Sequence, residues 1–216
     1  RSIFDGNLRH SADVMSPILG VSVRAGAVYA VLADSGRIWW AGSAAYQSVA
    51  DLADVIARLA GESGKRTRGV RVVLERDLVQ LRTLVPAPPL KPGAVARYVA
   101  LEAPRLFRKN GAPLATDARL VRLSKKESAL WAGAAAEPLV QAIADGCAQA
   151  GLELEALGPA AEVLLWALGV RAEDAAYVFP NGSTSEAVEI RGGRTWRSRA
   201  VRCADHPCPE WALPLA

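Results

Sequence analysis

ILGVSVRAGAVYAVLADSGRIWWA, Ile18 to Ala41, reads as three strands separated by two tight turns. Ile18 to Arg24, Ala27 to Ala33 and Ile38 to Ala41 are short apolar runs rich in strand formers. Ala25-Gly26 and Asp34-Ser35-Gly36-Arg37 lie between them, and connections that short join only antiparallel neighbours. The chain therefore opens on a three-stranded meander.

The same order of elements returns near the other end. Ala175 to Phe179, Ser185 to Arg191 and Arg194 to Val201 are strand-like, with turns at Asn181-Gly182 and Gly192-Gly193. A two-residue Gly-Gly hairpin turn suits backbone with positive φ. What repeats is the order of elements, not the residues.

Helices and strands alternate between the meanders. Ser48 with Asp51 three residues on forms a capping box, and Val49, Leu52, Ile56 and Leu59 follow at helical spacing up to Gly61. Val70 to Leu74 is a buried strand and Leu78 to Val85 a further one. Pro86, Pro88, Pro89 and Pro92 interrupt regular structure before a helix over Gly93 to Ala103. Asp117 to Leu123 and Ala129 to Ala134 form a hairpin around Ser124-Lys125-Lys126-Glu127. A helix over Glu137 to Ala150 has Pro138 in its first turn, Gly151 at its end and the stripe Leu139, Ile143, Cys147. Leu152 to Leu157 is a strand, and Pro159 opens a helix through Leu168.

Composition narrows the function classes. The 216 residues are 51% hydrophobic and 22% charged, which is ordinary for a folded domain with a real core. The net charge of +4 comes from dispersed arginines rather than one basic face with interleaved aromatics, which argues against a nucleic-acid binder. Three cysteines, Cys147, Cys203 and Cys208, make no disulfide framework and indicate a reducing compartment. No run approaches the roughly 20 apolar residues of a membrane span. Residues 1–16 read as a disordered or tag-derived N-terminus, and residues 204–216, with Pro207, Pro209 and Pro214, as an irregular tail.

A meander, then helix, strand, helix, strand and helix, then a second meander, resembles the duplicated ribonuclease-H-like fold of actin, Hsp70 and sugar kinases. Within that superfamily the chain is similar to the pilus-assembly PilM family and its secretion-system relative, the cytoplasmic domain of the L component (GspL). Four stretches carry the likeness: ILGVSVRAGAVYA (Ile18 to Ala30), LVPAPPLKPGAVARYVALEAPRLF (Leu84 to Phe107), Asp117 with the strands after it, and AAEPLVQAIADGCAQAGLELEALGPAAEVLLWAL (Ala135 to Leu168). The resemblance implies an α/β fold in which a mixed sheet, containing a three-stranded antiparallel meander, is flanked by helices. Residues 17–170 would form a first actin-like lobe and 171–203 the opening meander of a second, truncated lobe.

Active members of the superfamily close two hairpin loops of Asp-x-Gly pattern on the phosphates of ATP. Gly lets backbone amides approach, and Asp helps to hold a hydrated magnesium ion. In the first loop here Ser22 stands at the Asp position and Arg24 at the Gly position; in the second, Phe179 replaces the Asp and Pro180-Asn181-Gly182 follows. No carboxylate lies between Ile18 and Ala33, so neither loop has a charged oxygen with which to orient the ion. Ser22, Arg24, Gly26, Asn181, Gly182, Ser183 and Thr184 are at most vestigial phosphate-loop positions, and Gly26 and Gly182 serve equally as plain turn residues.

Other chemistry has less support. Cys203, His206 and Cys208 lack a fourth ligand and the usual zinc spacing. The two histidines, His10 and His206, lie near the chain ends and offer no triad. Trp39 and Trp40 point to opposite faces of their strand, and Trp196 is the better candidate for an exposed contact.

By resemblance, the expected function is that of a cytoplasmic scaffold, peripheral to the inner membrane, in a type IV pilus or type II secretion platform. It has no catalytic residue, cofactor or metal. It binds a short cytoplasmic peptide of an inner-membrane component and links it to the motor ATPase. The alternative is an active actin-like ATPase or sugar-kinase relative that binds magnesium–ATP.

Overall fold

The computed structural model describes residues 17–34, 36–64, 67–108, 111–162, 175–181 and 184–201, with backbone alone for 179–181 and 184. The expectations for residues 1–16 and 204–216, for most of the helix after Pro159, and for Cys203, His206 and Cys208 lie outside the described residues.

The chain divides into two compact units. The first comprises the described residues of Arg1–Val79, Lys109–Ala115 and Ala135–Ala160. Its five-stranded sheet contains β1 (Ile18–Arg24), β2 (Ala27–Asp34), β3 (Arg37–Ala45), β4 (Gly69–Leu74) and β8 (Glu153–Pro159), in the order β3-β2-β1-β4-β8. The meander pairs antiparallel, whereas β4 runs parallel to β1 and β8 parallel to β4. This mixed sheet with its parallel crossovers is the ribonuclease-H-like arrangement that the element order predicts.

Alternation along the strands sets which side is core. Leu19, Val21 and Val23 of β1, Val28, Ala30 and Leu32 of β2, and Val70, Val72 and Leu74 of β4 are buried. The alternate residues, such as Gly20, Ser22, Tyr29 and Val31, are half-buried or exposed.

Helix α1 (Val49–Glu62) starts at Ser48, whose N–H donates to the Asp51 carboxylate at 3.0 Å, as the capping pattern requires. It buries Leu52, Val55, Ile56 and Leu59 and packs against β2, β3 and helix α3 (Glu137–Gln149). Helix α3 buries Leu139, Ile143 and Cys147, together with Gly146, where the two helices come closest. A Cβ on Gly146 would lie 2.7 Å from the Ala53 carbonyl oxygen.

The second unit comprises the described residues of Gln80–Arg108, Thr116–Ala134 and Ala161–Ala216. One of its sheets has the order β5-β7-β6, from β5 (Val79–Leu84), β6 (Leu114–Arg122) and β7 (Ser128–Ala136). Between β5 and β6 runs α2 (Val95–Leu106), entered through a 3-10 turn at Pro92–Ala94 and buried at Val95, Val99 and Ala103. Gln80 ties the exit of this helix to β5, its side chain exchanging two 2.9 Å hydrogen bonds with the Arg108 backbone.

The other sheet is the second meander, β9 (Ala175–Asn181), β10 (Thr184–Arg191) and β11 (Arg194–Val201), wholly antiparallel. Gly192 and Gly193 close its second turn with φ of 54° and 72°, which only glycine adopts without strain.

Two sequence expectations are corrected. Strand β3 continues to Ala45, beyond Ala41, because it follows β2 along its full length from Asp34 to Ala27. Pro159 ends β8 rather than opening a helix, and helical backbone begins at Ala160. As the last residue of an edge strand, proline costs the sheet no ladder bond.

Candidate functional site

The β1–β2 turn, Arg24 to Ala27, is the first of the two candidate phosphate loops. Its neighbour in the sheet is the exit of β4. Parallel pairing sets Ser22 opposite Val73 and Val23 opposite Leu74, so the residues after Leu74 arrive beside the turn.

Three hydrogen bonds join the two segments. The Glu75 N–H donates to the Val23 carbonyl at 2.9 Å. The Ser22 hydroxyl donates to Glu75 Oε1 at 2.7 Å. The Ala25 N–H donates to Asp77 Oδ2 at 2.8 Å. From the end of β3, the Tyr46 N–H donates to the Gly26 carbonyl at 3.1 Å and its hydroxyl to the Arg24 carbonyl at 2.9 Å. Burial holds the Tyr46 phenol above its ordinary pKa; the Asp77 charge adds to this and a backbone hydrogen bond at Gly26 opposes it.

These contacts correct the expectation that no charged oxygen reaches the loop. Strand β1 carries no carboxylate, but Glu75 and Asp77 supply two from a turn more than fifty residues further along the chain. The sequence reading made Val70 to Leu74 a buried strand without placing it beside β1, and it is that pairing which brings Glu75 and Asp77 to the turn.

A phosphate held at such a turn is held by backbone N–H groups. The Ala25 N–H is already taken by a carboxylate, and a phosphate there would sit against two negative charges. As arranged, this turn does not fit a nucleotide phosphate. Glu75 and Asp77 carry the hard oxygen ligands that magnesium prefers, although each already accepts a hydrogen bond from the protein. Gly26, at φ 75°, acts as the turn residue, and the Arg24 side chain is exposed.

Ser22, Arg24 and Gly26 therefore come together in the first unit. Asn181 and Thr184 lie opposite each other at the ends of β9 and β10 in the second unit, and Phe179 is opposite Glu186. Gly182 and Ser183 lie outside the described residues. Among the described residues, no group of three or more His, Cys, Asp or Glu side chains is placed to hold a metal ion.

The second unit contains a polar cluster that the sequence did not reveal. The Trp131 Nε1–H donates to Glu162 Oε1 at 2.7 Å, and an Arg119 guanidinium nitrogen lies 2.7 Å from the same oxygen. Arg119 also donates to the Thr195 carbonyl at 3.0 Å, and the Thr83 hydroxyl donates to the Trp196 carbonyl at 2.8 Å. These bonds tie β11 to β5 and β6. Trp196, expected as an exposed contact, is half-buried with its indole N–H shielded from solvent. Trp39, by contrast, is 46% exposed and lies under the Arg37 guanidinium at 4.3 Å.

The fold defines the class: an α/β protein of the actin-like, ribonuclease-H-like type. Two solved structures carry the likeness. A structure of the PilM-PilN type IV pilus biogenesis complex matches with a TM-score of 0.63 at 21% identity, covering 86% of this chain and 61% of that one. The cytoplasmic domain of EpsL, an inner-membrane component of the type II secretion system of Vibrio cholerae, matches with a TM-score of 0.55 at 15% identity, covering 91% of this chain and 80% of that one. The chain thus spans about three fifths of the length of the first. At these identities the likeness is one of fold. No protein-family profile matches the chain, and no curated protein matches it. Among the described residues no helix is long and apolar enough to cross a membrane.

Proposed function

We propose that this domain is a non-catalytic scaffold of a bacterial type IV pilus or type II secretion platform. It works on the cytoplasmic side, peripheral to the inner membrane, where it binds a cytoplasmic segment of a membrane-anchored partner and links it to the assembly motor. The observation that carries this reading is the Asp77 carboxylate on the Ala25 N–H, which engages with a protein anion a backbone amide of the candidate phosphate loop. The two solved structures of similar fold come from such machines, and one of them is a complex with a second component.

A second reading, an active actin-like ATPase or sugar-kinase relative, draws on the same turn. Glu75 and Asp77 bring two carboxylates to this turn, and carboxylate oxygens are the ligands that a hydrated magnesium ion takes. Titration calorimetry with magnesium–ATP separates the two. The scaffold reading expects no binding tighter than about 10 μM, equivalent to roughly 7 kcal/mol, and no phosphate release with or without a partner. Either result in the opposite sense establishes the second reading. Copurification of the chain with a membrane-anchored pilus or secretion component is the positive test of the first.

A further inference from the structure

Arginines are dispersed along the chain, but their excess is not. Gln80 to Arg108, the stretch of the second unit that contains most of β5 and all of α2, holds Arg82, Lys91, Arg97, Arg105 and Arg108 against one acid, Glu102. The other 187 residues carry 21 basic and 21 acidic side chains, so the net charge of +4 resides in this stretch.

Helical spacing gathers part of that charge on one face. Val95, Val99 and Ala103 are the buried side of α2. Arg97, Leu101 and Arg105 recur every four residues on the opposite side, with Ala100 and Pro104 exposed beside them. Leu101 is 71% exposed, more than any other large hydrophobic among the described residues. Val85, the second exposed large hydrophobic of this unit, lies on the charge-free loop Leu84 to Leu90 that leads toward the helix.

Some of the charge has a structural task. Arg82 Nε donates to the Leu106 carbonyl at 3.2 Å, and Arg105 pairs with Glu102 at 3.4 Å, near the helix C-terminus that favours cations. Arg97 lies two turns before that end, beyond the reach of the dipole. The side chains of Lys91, Arg97 and Arg108 have no partner among the described residues, and the Arg105 side chain is 83% exposed.

The chemistry of the face selects its partner. Protein interfaces are anchored by large side chains, aromatic ones above all, packed into pockets. This face is the convex side of a helix with no exposed aromatic; Tyr98 is half-buried. A lone leucine between guanidiniums suits a lipid surface better. Each guanidinium forks onto a phosphate, and fluid headgroups adapt to the spacing of about 12 Å between Arg97 and Arg105. The leucine then reaches the boundary between headgroups and acyl chains.

We infer that α2 is a membrane-contact helix, which lies on an anionic phospholipid surface with Leu101 at the acyl boundary and Arg97 and Arg105 on lipid phosphates. This rests on the reading that places the domain at the inner membrane, and it names the surface and the lipid chemistry that hold it there. Four exposed cations give weak binding, half-maximal near about 1 mM lipid. That suffices to orient a domain already tethered through a partner.

Flotation of the full chain with vesicles tests this. The chain should bind phosphatidylcholine vesicles that contain phosphatidylglycerol, should ignore phosphatidylcholine alone, and should be released by salt. Arg97→Glu/Arg105→Glu should weaken binding more than about tenfold, and Leu101→Ser about fivefold. Arg58→Glu/Arg194→Glu changes the net charge equally at exposed arginines elsewhere and should stay within about twofold of wild type. All these sites are exposed, so the circular dichroism spectra should not change. In a Cys203→Ser/Cys208→Ser background, a polarity-sensitive fluorophore on Leu101→Cys should shift to the blue on the anionic vesicles and not with soluble polyglutamate. Equal losses in the two double variants would trace binding to bulk charge and overturn the inference. A blue shift with polyglutamate as large as with vesicles would assign the face to an acidic protein and overturn it too. A chain that ignores vesicles yet copurifies with its membrane-anchored component overturns the inference and leaves the scaffold reading standing. Vesicle binding through α2 without such copurification supports the inference and counts against that reading.

Discussion

The Glu162 carboxylate lies 2.7 Å from the Arg119 guanidinium, so β6 is tied to the helical backbone that begins after β8. Both side chains are largely withdrawn from solvent, at 17% and 23% exposure, and the same oxygen receives the indole N–H of the buried Trp131. Glu162→Ala leaves a guanidinium and an indole N–H without their acceptor. The expected loss is about 2–4 kcal/mol of unfolding free energy. Glu162→Gln keeps an acceptor and should lose less. Urea denaturation of the three proteins measures the difference, with unchanged m-values as the sign that only stability has moved.

Asp77 contributes to the first turn both a charge and a hydrogen-bond acceptor, and two substitutions separate them. Asp77→Ala removes both, so the Ala25 amide should exchange faster with deuterium and the Tyr46 phenol should titrate at lower pH than in the wild type. Asp77→Asn keeps the acceptor without the charge. It should preserve most of the Ala25 protection while still lowering the Tyr46 pKa. Amide exchange with mass spectrometry and the tyrosinate absorbance give the two readings, and an unmoved Tyr46 titration in both variants would contradict the contact.

Gly146→Ala reverses a general rule. In a helix interior this substitution normally gains up to about 1 kcal/mol, because glycine is the poorer helix former. Here the new methyl group meets the Ala53 carbonyl oxygen at 2.7 Å and the Ala53 Cα at 3.0 Å, both backbone atoms of the facing helix. The helices must separate, at an expected net cost of about 1–3 kcal/mol. A lower midpoint in thermal unfolding checks this.

Cys147 confers a pH dependence at the alkaline end. Burial pushes its thiol up to about 11 from an ordinary 9.0. As pH rises, the unfolded chain gives up this proton first and the folded chain retains it. The contribution is therefore complete below about pH 9 and falls away between pH 9 and about 11, by roughly 2–3 kcal/mol. Cys147→Ala should be less stable at neutral pH through the smaller side chain, with a flatter decline over that interval. Paired urea melts at pH 8 and pH 10.5 provide the test.

Much of the fold was legible because local chemistry and tertiary structure agree. Strands β1 and β2 of the first meander alternate, and the glycines at the turns of both meanders, such as Gly26, Gly192 and Gly193, have the positive φ that short turns require. Ser48 and Asp51 start α1 as their spacing says, and the Leu139, Ile143, Cys147 stripe is the buried face of α3. Hidden features depend on partners distant in sequence. The half of β3 after Ala41 is Gly42 to Ala45, a run of small residues with no strand signature, and pairing with β2 alone makes it a strand. Glu75 and Asp77 are ordinary acidic turn residues until the parallel register of β1 and β4 delivers them to Ser22 and Ala25. Glu162 likewise shows its role only once β6 and β7 bring Arg119 and Trp131 to it.

The sheet order has a consequence for synthesis. Strand β4 is complete at Leu74, but the strand that covers its far edge, β8, starts only at Glu153. At ribosomal speeds of about 5–20 residues per second, that interval lasts on the order of ten seconds. Throughout it, the Val-rich β4 of a nascent chain presents an unpaired edge. The hazard is greatest where several chains emerge side by side from one messenger, and a chaperone that shields strand edges would act in that interval.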